Sequence, residues 1–267
     1  MQVWSLSSGS SGNCYLIKER DSLILVEAGL GVRRVIQELQ QLGLGGSHVD
    51  GIVVSHEHSD HVSSATALAK RFRSPLICTG GTWRSLASKA HAVEWTCITR
   101  GRPVQVGSLL IEGFPIPHDA NEPVGFSIQS DSAKVCLATD MGFATEEAVE
   151  RASNADLVIL EANHDLDMLK QGPYPAHLKA RILGDRGHLS NIDAAKTILK
   201  TVRGRPRLYW LAHLSNTNNS PGVAFKTVKE FLRREGLDHL MVEVALRNRR
   251  SLFWDSKVAP AQLPLFG

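Results

Sequence analysis

Three imidazoles and a carboxylate crowd into six positions, His56, His58, Asp60 and His61, directly after the apolar run Gly51-Ile52-Val53-Val54. An apolar run of this length reads as a buried strand. A strand that ends in several groups costly to desolvate needs something to organise them, and imidazole with carboxylate suits a divalent cation of borderline hardness. The spacing therefore points to a metal site, most simply a dinuclear one. A polar turn leading into a helix over residues 62–68 is the bland alternative, and it leaves the later histidines and aspartates of the chain unexplained.

With 267 residues, 43% of them hydrophobic, the chain can bury one large core, and we expect a single domain over residues 1–257 followed by a flexible tail, 258–267. The N-terminus carries no charged segment followed by a long apolar region. No stretch approaches the about 18 apolar residues of a membrane span, so a soluble, cytoplasmic protein with no membrane partner is expected. Cys14, Cys78, Cys97 and Cys136 stand apart, which argues against both a disulfide framework and a thiolate zinc site. A net charge of +3 defines no partner, although arginines cluster at Arg33-Arg34, Arg203/Arg205/Arg207, Arg233-Arg234 and Arg247/Arg249-Arg250. Those clusters are compatible with phosphate contacts and equally with a solvated surface.

Strands and helices alternate along the chain. A hairpin is expected over residues 13–17 and 22–26, then a helix from Val32, the buried strand before His56, and a strand at 75–78 followed by a Gly80-Gly81 turn and a helix from Thr82. Strands dominate residues 104–138. Helical periodicity returns at 146–152, 192–202 and 223–234, separated by buried strands at 157–161 and 208–212. This order fits two β-layers with helices outside them, an α/β (α+β) architecture, better than a single parallel sheet.

Polar ligand types recur wherever an apolar run ends: His118 after residues 114–117, Asp140 after 135–139, and His213 after 208–212. Strand ends hold side chains rigidly toward one rim. Taken together these residues match a two-ion site, with His56, His58 and His118 around one ion, Asp60, His61 and His213 around the other, and Asp140 between them. His-rich sites with a bridging carboxylate accept Mn or Zn alike.

The H-x-H-x-D-H pattern of His56 to His61, followed in order by His118, Asp140 and His213, resembles the metallo-β-lactamase fold hydrolases. More narrowly, residues 8–14, 118–120, 123–126, 138–142, 161–165, 187–191 and 211–215 resemble the YycJ/WalJ group of DNA exonucleases, over roughly residues 3–250 in all. The resemblance implies a four-layer αββα sandwich with the site at one edge between the sheets, the ligand assignment drawn above, and DNA as substrate, attacked from a 5′ end. One departure is visible: the acid closing the second strand of the hairpin is commonly Asp in this fold and here is Glu27. We expect Glu27 to orient a ligand histidine and not to bind metal itself.

Such a pair of ions would activate water as the nucleophile, since coordination lowers its pKa from about 15.7 to about 7. Asp60 would steer the nucleophile's proton. His188, in Gly187-His188-Leu189-Ser190-Asn191, is the candidate donor to the leaving oxygen, a role that the resemblance also supports, with Glu161 orienting it. Ser190 or Asn191 could cap the helix that follows. Ser11, Gly12 and Asn13 offer backbone amides that could cradle a terminal phosphate, or form only a turn, and Asn216 is treated in the same way. His164, near Glu161, is a candidate supporting residue.

The tail ends Gln262-Leu263-Pro264-Leu265-Phe266, which resembles the Q-L-x-L-F peptide that docks on the bacterial sliding clamp. In that mode Gln262 would hydrogen-bond at the groove mouth, and Leu263, Leu265 and Phe266 would fill apolar pockets. The leading expectation is thus a dinuclear-metal DNA exonuclease of replication or repair. Hydrolysis of a small phosphodiester, thioester or lactone is the second, and a non-catalytic metal-containing regulatory protein the third.

Overall fold

The computed structural model describes residues 1–202 and 207–258. In chain order the strands are β1 (Gln2–Ser7), β2 (Cys14–Glu19), β3 (Ser22–Val26), β4 (Gly51–Val53), β5 (Leu76–Cys78), β6 (Trp95–Cys97), β7 (Val104–Val106), β8 (Leu109–Pro115), β9 (Val124–Gln129), β10 (Lys134–Ala138), β11 (Leu157–Glu161), β12 (Leu208–Ala212), β13 (Met241–Val244) and β14 (Leu252–Asp255). They form two seven-stranded sheets, ordered β14-β1-β2-β3-β4-β5-β6 and β13-β12-β11-β10-β9-β8-β7. Each sheet is antiparallel at one side and parallel at the other: β3, β4, β5 and β6 run parallel in the first, and β10, β11, β12 and β13 in the second.

Alternation within the strands explains the layering. In β3 every residue is buried, with Ile24 and Val26 facing the layer between the sheets and Leu23 and Leu25 facing outward. The inner layer joins Tyr15, Ile17 and Ile77 of one sheet to Phe126, Ile159 and Trp210 of the other. The outward face of the first sheet is covered by α1 (Val32–Gln41) and α3 (Ala65–Phe72), which follows the single turn α2 (Ser59–Val62). The second is covered by α5 (Glu146–Ser153), α8 (Asn191–Thr201) and α9 (Pro221–Arg234). The result is the expected αββα sandwich. Three further helices are α4 (Gly80–Leu86), which sets Trp83 against the same outer cluster of the first sheet, α6 (Leu166–Gln171) and α7 (Ala176–Leu183). Among the described residues no helix is long and apolar enough to cross a membrane.

The structure departs from the sequence pattern in three places. The helix over 62–68 that the bland alternative supposes is interrupted at Ser63 and Ser64, between α2 and α3, where Ser63 Oγ donates to the Gly29 carbonyl and the Ser64 amide to the Ala28 carbonyl. Gly80 and Gly81 are no turn but the first turn of α4, whose N-cap Thr79 accepts from the Thr82 amide. Finally β1, β6, β13, β14, α6 and α7 carry too short or too weak an apolar period to be announced by the sequence. The tail residues Gln262, Leu263, Leu265 and Phe266 fall outside the described residues, as do Arg203 and Arg205.

Candidate metal centre

Parallel strands deliver their carboxyl ends to one rim, and the two sheets do so at the same edge of the sandwich. The first sheet sends Glu27 from the end of β3 and residues 55–61 from the end of β4. From the second come His118 beyond β8, Asp140 beyond β10, Glu161 at the end of β11 and His213 beyond β12. Three of these side chains are aimed by left-handed backbone at non-glycine positions, Glu27 (φ 63°), Asp140 (φ 62°) and His213 (φ 54°). Such a conformation costs on the order of 1–3 kcal/mol each and persists where the surroundings enforce it, typically at functional sites. Close approach is enforced at Gly29, where a Cβ would lie 1.8 Å from the Asp60 carbonyl oxygen.

The side chains of several of these residues converge. His56, His58 and His118 form one group of ligand-type atoms within 4.8 Å of one another, Asp60, His61 and His213 form a second, and His56, His61 and Asp140 a third that links them. His58 Nδ1 lies 3.1 Å from His56 Nε2 and 3.2 Å from His118 Nε2. Three ring nitrogens facing one point cannot all be satisfied by a single N–H, whereas a cation between them satisfies all three.

Orientation supports the same conclusion. Four of the five converging histidines tie Nδ1 to the protein and turn Nε2 to the common centre. His56 Nδ1 meets Ser55 Oγ at 2.9 Å, and His118 Nδ1 meets the Gly187 carbonyl at 3.3 Å. His61 Nδ1 meets Glu27 Oε2 at 3.1 Å, and His213 Nδ1 meets Glu161 Oε1 at 3.0 Å. This is the arrangement by which a protein fixes the tautomer of metal-binding imidazoles. Asp140 Oδ2 is buried without a hydrogen-bond partner, an acceptor left open for a cation. The donor set, imidazoles with carboxylates, fits divalent ions such as zinc or manganese.

Electrostatics hold the cluster together. Burial opposes charge on His213, but Asp140 beside it and bonds to Asp60 and Glu161 push its pKa up to about 10. His61 is likewise held well above the ordinary range, because Glu27 and Asp140 outweigh its burial. His56 moves the other way, kept neutral by burial and by the charge on His61. Asp140 would be raised by burial, yet the charges of His213 and His61 hold it well below the usual carboxylate range.

His188 stands beside this cluster, its Nδ1 2.8 Å from Glu161 Oε1, and its side chain is 21% exposed. Gly187 lets it approach, since a Cβ there would meet the Ile182 carbonyl oxygen at 2.1 Å. Glu161 is fully used: Oε1 takes His188 and His213, and Oε2 accepts from the amides of Met141 and Leu189. Despite burial, the neighbouring His188 charge brings Glu161 down to about 2. Ser190 is the N-cap of α8 as anticipated, accepting from the Asp193 amide.

The amide cradle expected from Ser11, Gly12 and Asn13 is not available in that form. The Gly12 amide donates to the Gly9 carbonyl and the Asn13 amide to the Asp60 carbonyl. Asn13 acts through its side chain instead, with Nδ2 3.1 Å from His61 Nε2, and Ser11 Oγ donates to Asn248. Asn216 is exposed at the rim, while Asn219 is buried and bonds the Ala162 and Asn163 carbonyls. Of the described arginines in the clusters, Arg34 and Arg250 share Glu38, Arg207 is buried against the Thr201 carbonyl and Arg247 donates to the Ser215 carbonyl, while Arg33, Arg233, Arg234 and Arg249 are exposed. His164 is buried with neither ring nitrogen partnered. Ser55, which touches both His56 and His61, is a site residue that sequence reasoning passed over, because a serine beside a histidine carries no distinctive signal.

A beta-lactamase superfamily domain matches residues 23–214. The chain belongs to the metallo-β-lactamase fold hydrolases. As a member of this family it is a metal-dependent hydrolase. Exodeoxyribonuclease WalJ of Streptococcus pneumoniae is 32% identical over 237 residues, covering 87% of this chain and 88% of its own. Exodeoxyribonuclease YycJ of Bacillus anthracis is 32% identical over 234 residues, covering 86% and 89%. The metallo-beta-lactamase fold protein YhfI from Bacillus subtilis superposes with a TM-score of 0.72 at 17% identity, over 95% of this chain and 98% of that one, which establishes a shared fold.

Proposed function

We propose that this hydrolase is a dinuclear-metal DNA exonuclease working from the 5′ end. The observation that carries the reading is the convergence of the seven ligand-type residues with His188 at one rim, in a chain similar along most of its length to two exodeoxyribonucleases. His56, His58 and His118 would hold one ion, Asp60, His61 and His213 the other, and Asp140 both; the ions are manganese or zinc. When bound, they supply Lewis acidity toward a phosphodiester and lower the pKa of water. Asp60 steers the proton of the attacking group. With Nδ1 committed to Glu161, His188 presents Nε2 as the donor to the leaving oxygen. Ser11, Asn13 and Asn216 line the substrate side of the rim, Asn13 by positioning His61. The enzyme acts in the cytoplasm in replication or repair, and the tail, through Gln262, Leu263, Leu265 and Phe266, docks on the sliding clamp.

Metal-loaded protein is to be assayed on 5′-phosphorylated single-stranded and duplex DNA beside His61→Ala. Stepwise release of nucleotides from the 5′ end, lost in the variant, is expected. No cleavage by the loaded protein, or equal cleavage by both proteins, would sink the reading. Deleting residues 260–267 should abolish clamp binding in a surface-immobilised assay and leave DNA cleavage intact.

A further inference from the structure

Beside His188 the rim opens into a cleft of about 170 Å³, well below the about 300–1,000 Å³ of sites that enclose a drug-sized ligand. Tyr174, just before α7, and Leu178 and Ile182 of α7 supply its aromatic and aliphatic lining, and Ser10, Asp119, Asn163 and Ser215 its polar lining. Arg181 sits on the same helix, more than half exposed, with its guanidinium held by Asp119. Ser215 lies two residues from His213 and Asn163 donates to the His213 carbonyl, so whatever fills the cleft is adjacent to the metal centre.

A larger groove of about 980 Å³, containing Phe143, also opens near the site beside Pro117. Its wall carries Glu146, Glu147 and Glu150 beside Arg100, Lys134 and Arg151, with Arg100 paired to Glu147 and Arg151 to Glu112 and Glu147, so it offers no net positive field to a phosphodiester strand. The small cleft differs in its apolar share: Tyr174, Leu178 and Ile182 supply surface for the face of a ring, Ser10, Asn163 and Ser215 polar groups for its edge, and Arg181, paired with Asp119, a cation for the phosphate.

We propose that this cleft is the subsite for the terminal base of the DNA strand, with Tyr174 and Leu178 gripping it so that the bond beyond the end nucleotide falls at the metal centre. The proposal rests on the exonuclease reading and deepens it. A cleft with room for one base selects a strand end over an internal position, since an internal base would have to bring its neighbours with it.

The test compares kcat/KM on two 5′-phosphorylated single strands, one intact and one with an abasic terminal residue, for the wild-type protein, Tyr174→Ala, Tyr174→Phe and Leu178→Trp. Loss of one base-aromatic contact corresponds to roughly tenfold. The wild-type protein should therefore prefer the intact end by about tenfold, Tyr174→Phe should retain the preference, and Tyr174→Ala and Leu178→Trp should reduce it to about twofold or less. Because the readout is a ratio within each protein, a partly misfolded variant lowers both rates and leaves the ratio. A wild-type protein that cleaves DNA without preferring the intact end, or a Tyr174→Ala protein that keeps the full preference, would overturn the subsite while sparing the nuclease reading. A wild-type protein that cleaves neither strand would overturn both.

Discussion

Glu27 and Glu161 do the same task from opposite sheets, and they do it differently. Each stands fully buried at a strand end and holds the Nδ1 of a histidine whose Nε2 faces the common centre. Glu161 has all its capacity in use, binding His213 and His188 through one oxygen and two backbone amides through the other. Glu27 serves His61 with Oε2, which also takes a long 3.5 Å bond from the Ser55 amide, while Oε1 has no partner. The same device is thus integral to the backbone in one sheet and lightly supported in the other. A shared carboxylate couples two histidines, so its loss should propagate; a single-use carboxylate should fail locally.

That contrast orders the expected effects. Glu161→Ala should be the most damaging, lowering activity by about a hundredfold. Because it also strands the buried amides of Met141 and Leu189, at about 1–3 kcal/mol each, calorimetric melting should fall by several degrees. Glu27→Gln should lower activity by nearer tenfold with a smaller change in melting. If it proves as harmful as Glu161→Ala, the distinction between the two sheets is wrong. Glu27→Asp, which restores the acid common in this fold, sharpens the same point: melting close to wild type with reduced metal affinity would show that the reach to His61 is what matters.

Metal binding offers a third measurement. His213 in the metal-free protein holds its proton up to about pH 10, whereas a metal takes neutral imidazole, so binding below that pH must expel a proton. Apparent affinity should rise with pH by about tenfold per unit for each proton released. Titration calorimetry in buffers of different ionisation enthalpy reads this directly, and a buffer-independent heat at pH 7 would refute it. Smallest of all, Ser55→Ala removes one neutral partner of His56, about 0.5–1.5 kcal/mol, and should change metal affinity by less than tenfold.

The ligands were legible because each lies where an apolar run stops, and an apolar run is a local signal. His56, His58, Asp60, His61, His118, Asp140 and His213 can all be chosen as candidates in this way, whereas which of them lie together is a matter of tertiary geometry. Glu27 is read as an orienter from the family resemblance, in which the acid at this position is commonly Asp. Ser55 and the amides gathered by Glu161 were not legible, since nothing in the neighbouring residues marks them. The tract at residues 11–13 leaves a phosphate cradle and a plain turn open, because a Ser/Gly-rich tract shows that amides can be exposed and not where they donate; the Gly12 and Asn13 amides donate to the Gly9 and Asp60 carbonyls.

By itself the sequence determined the alternation of buried strands and amphipathic helices, the position of each polar residue at a strand end, and the chemical type of the site, because these depend on period and residue identity within a few positions. Only the tertiary structure decided that two sheets open at one edge, that Glu161 serves two histidines at once, and that α7 and the loop carrying Ser10 line a small cleft beside His188. Each of these joins residues far apart in the chain, and such contacts are set by packing the sheets face to face and not by any local preference.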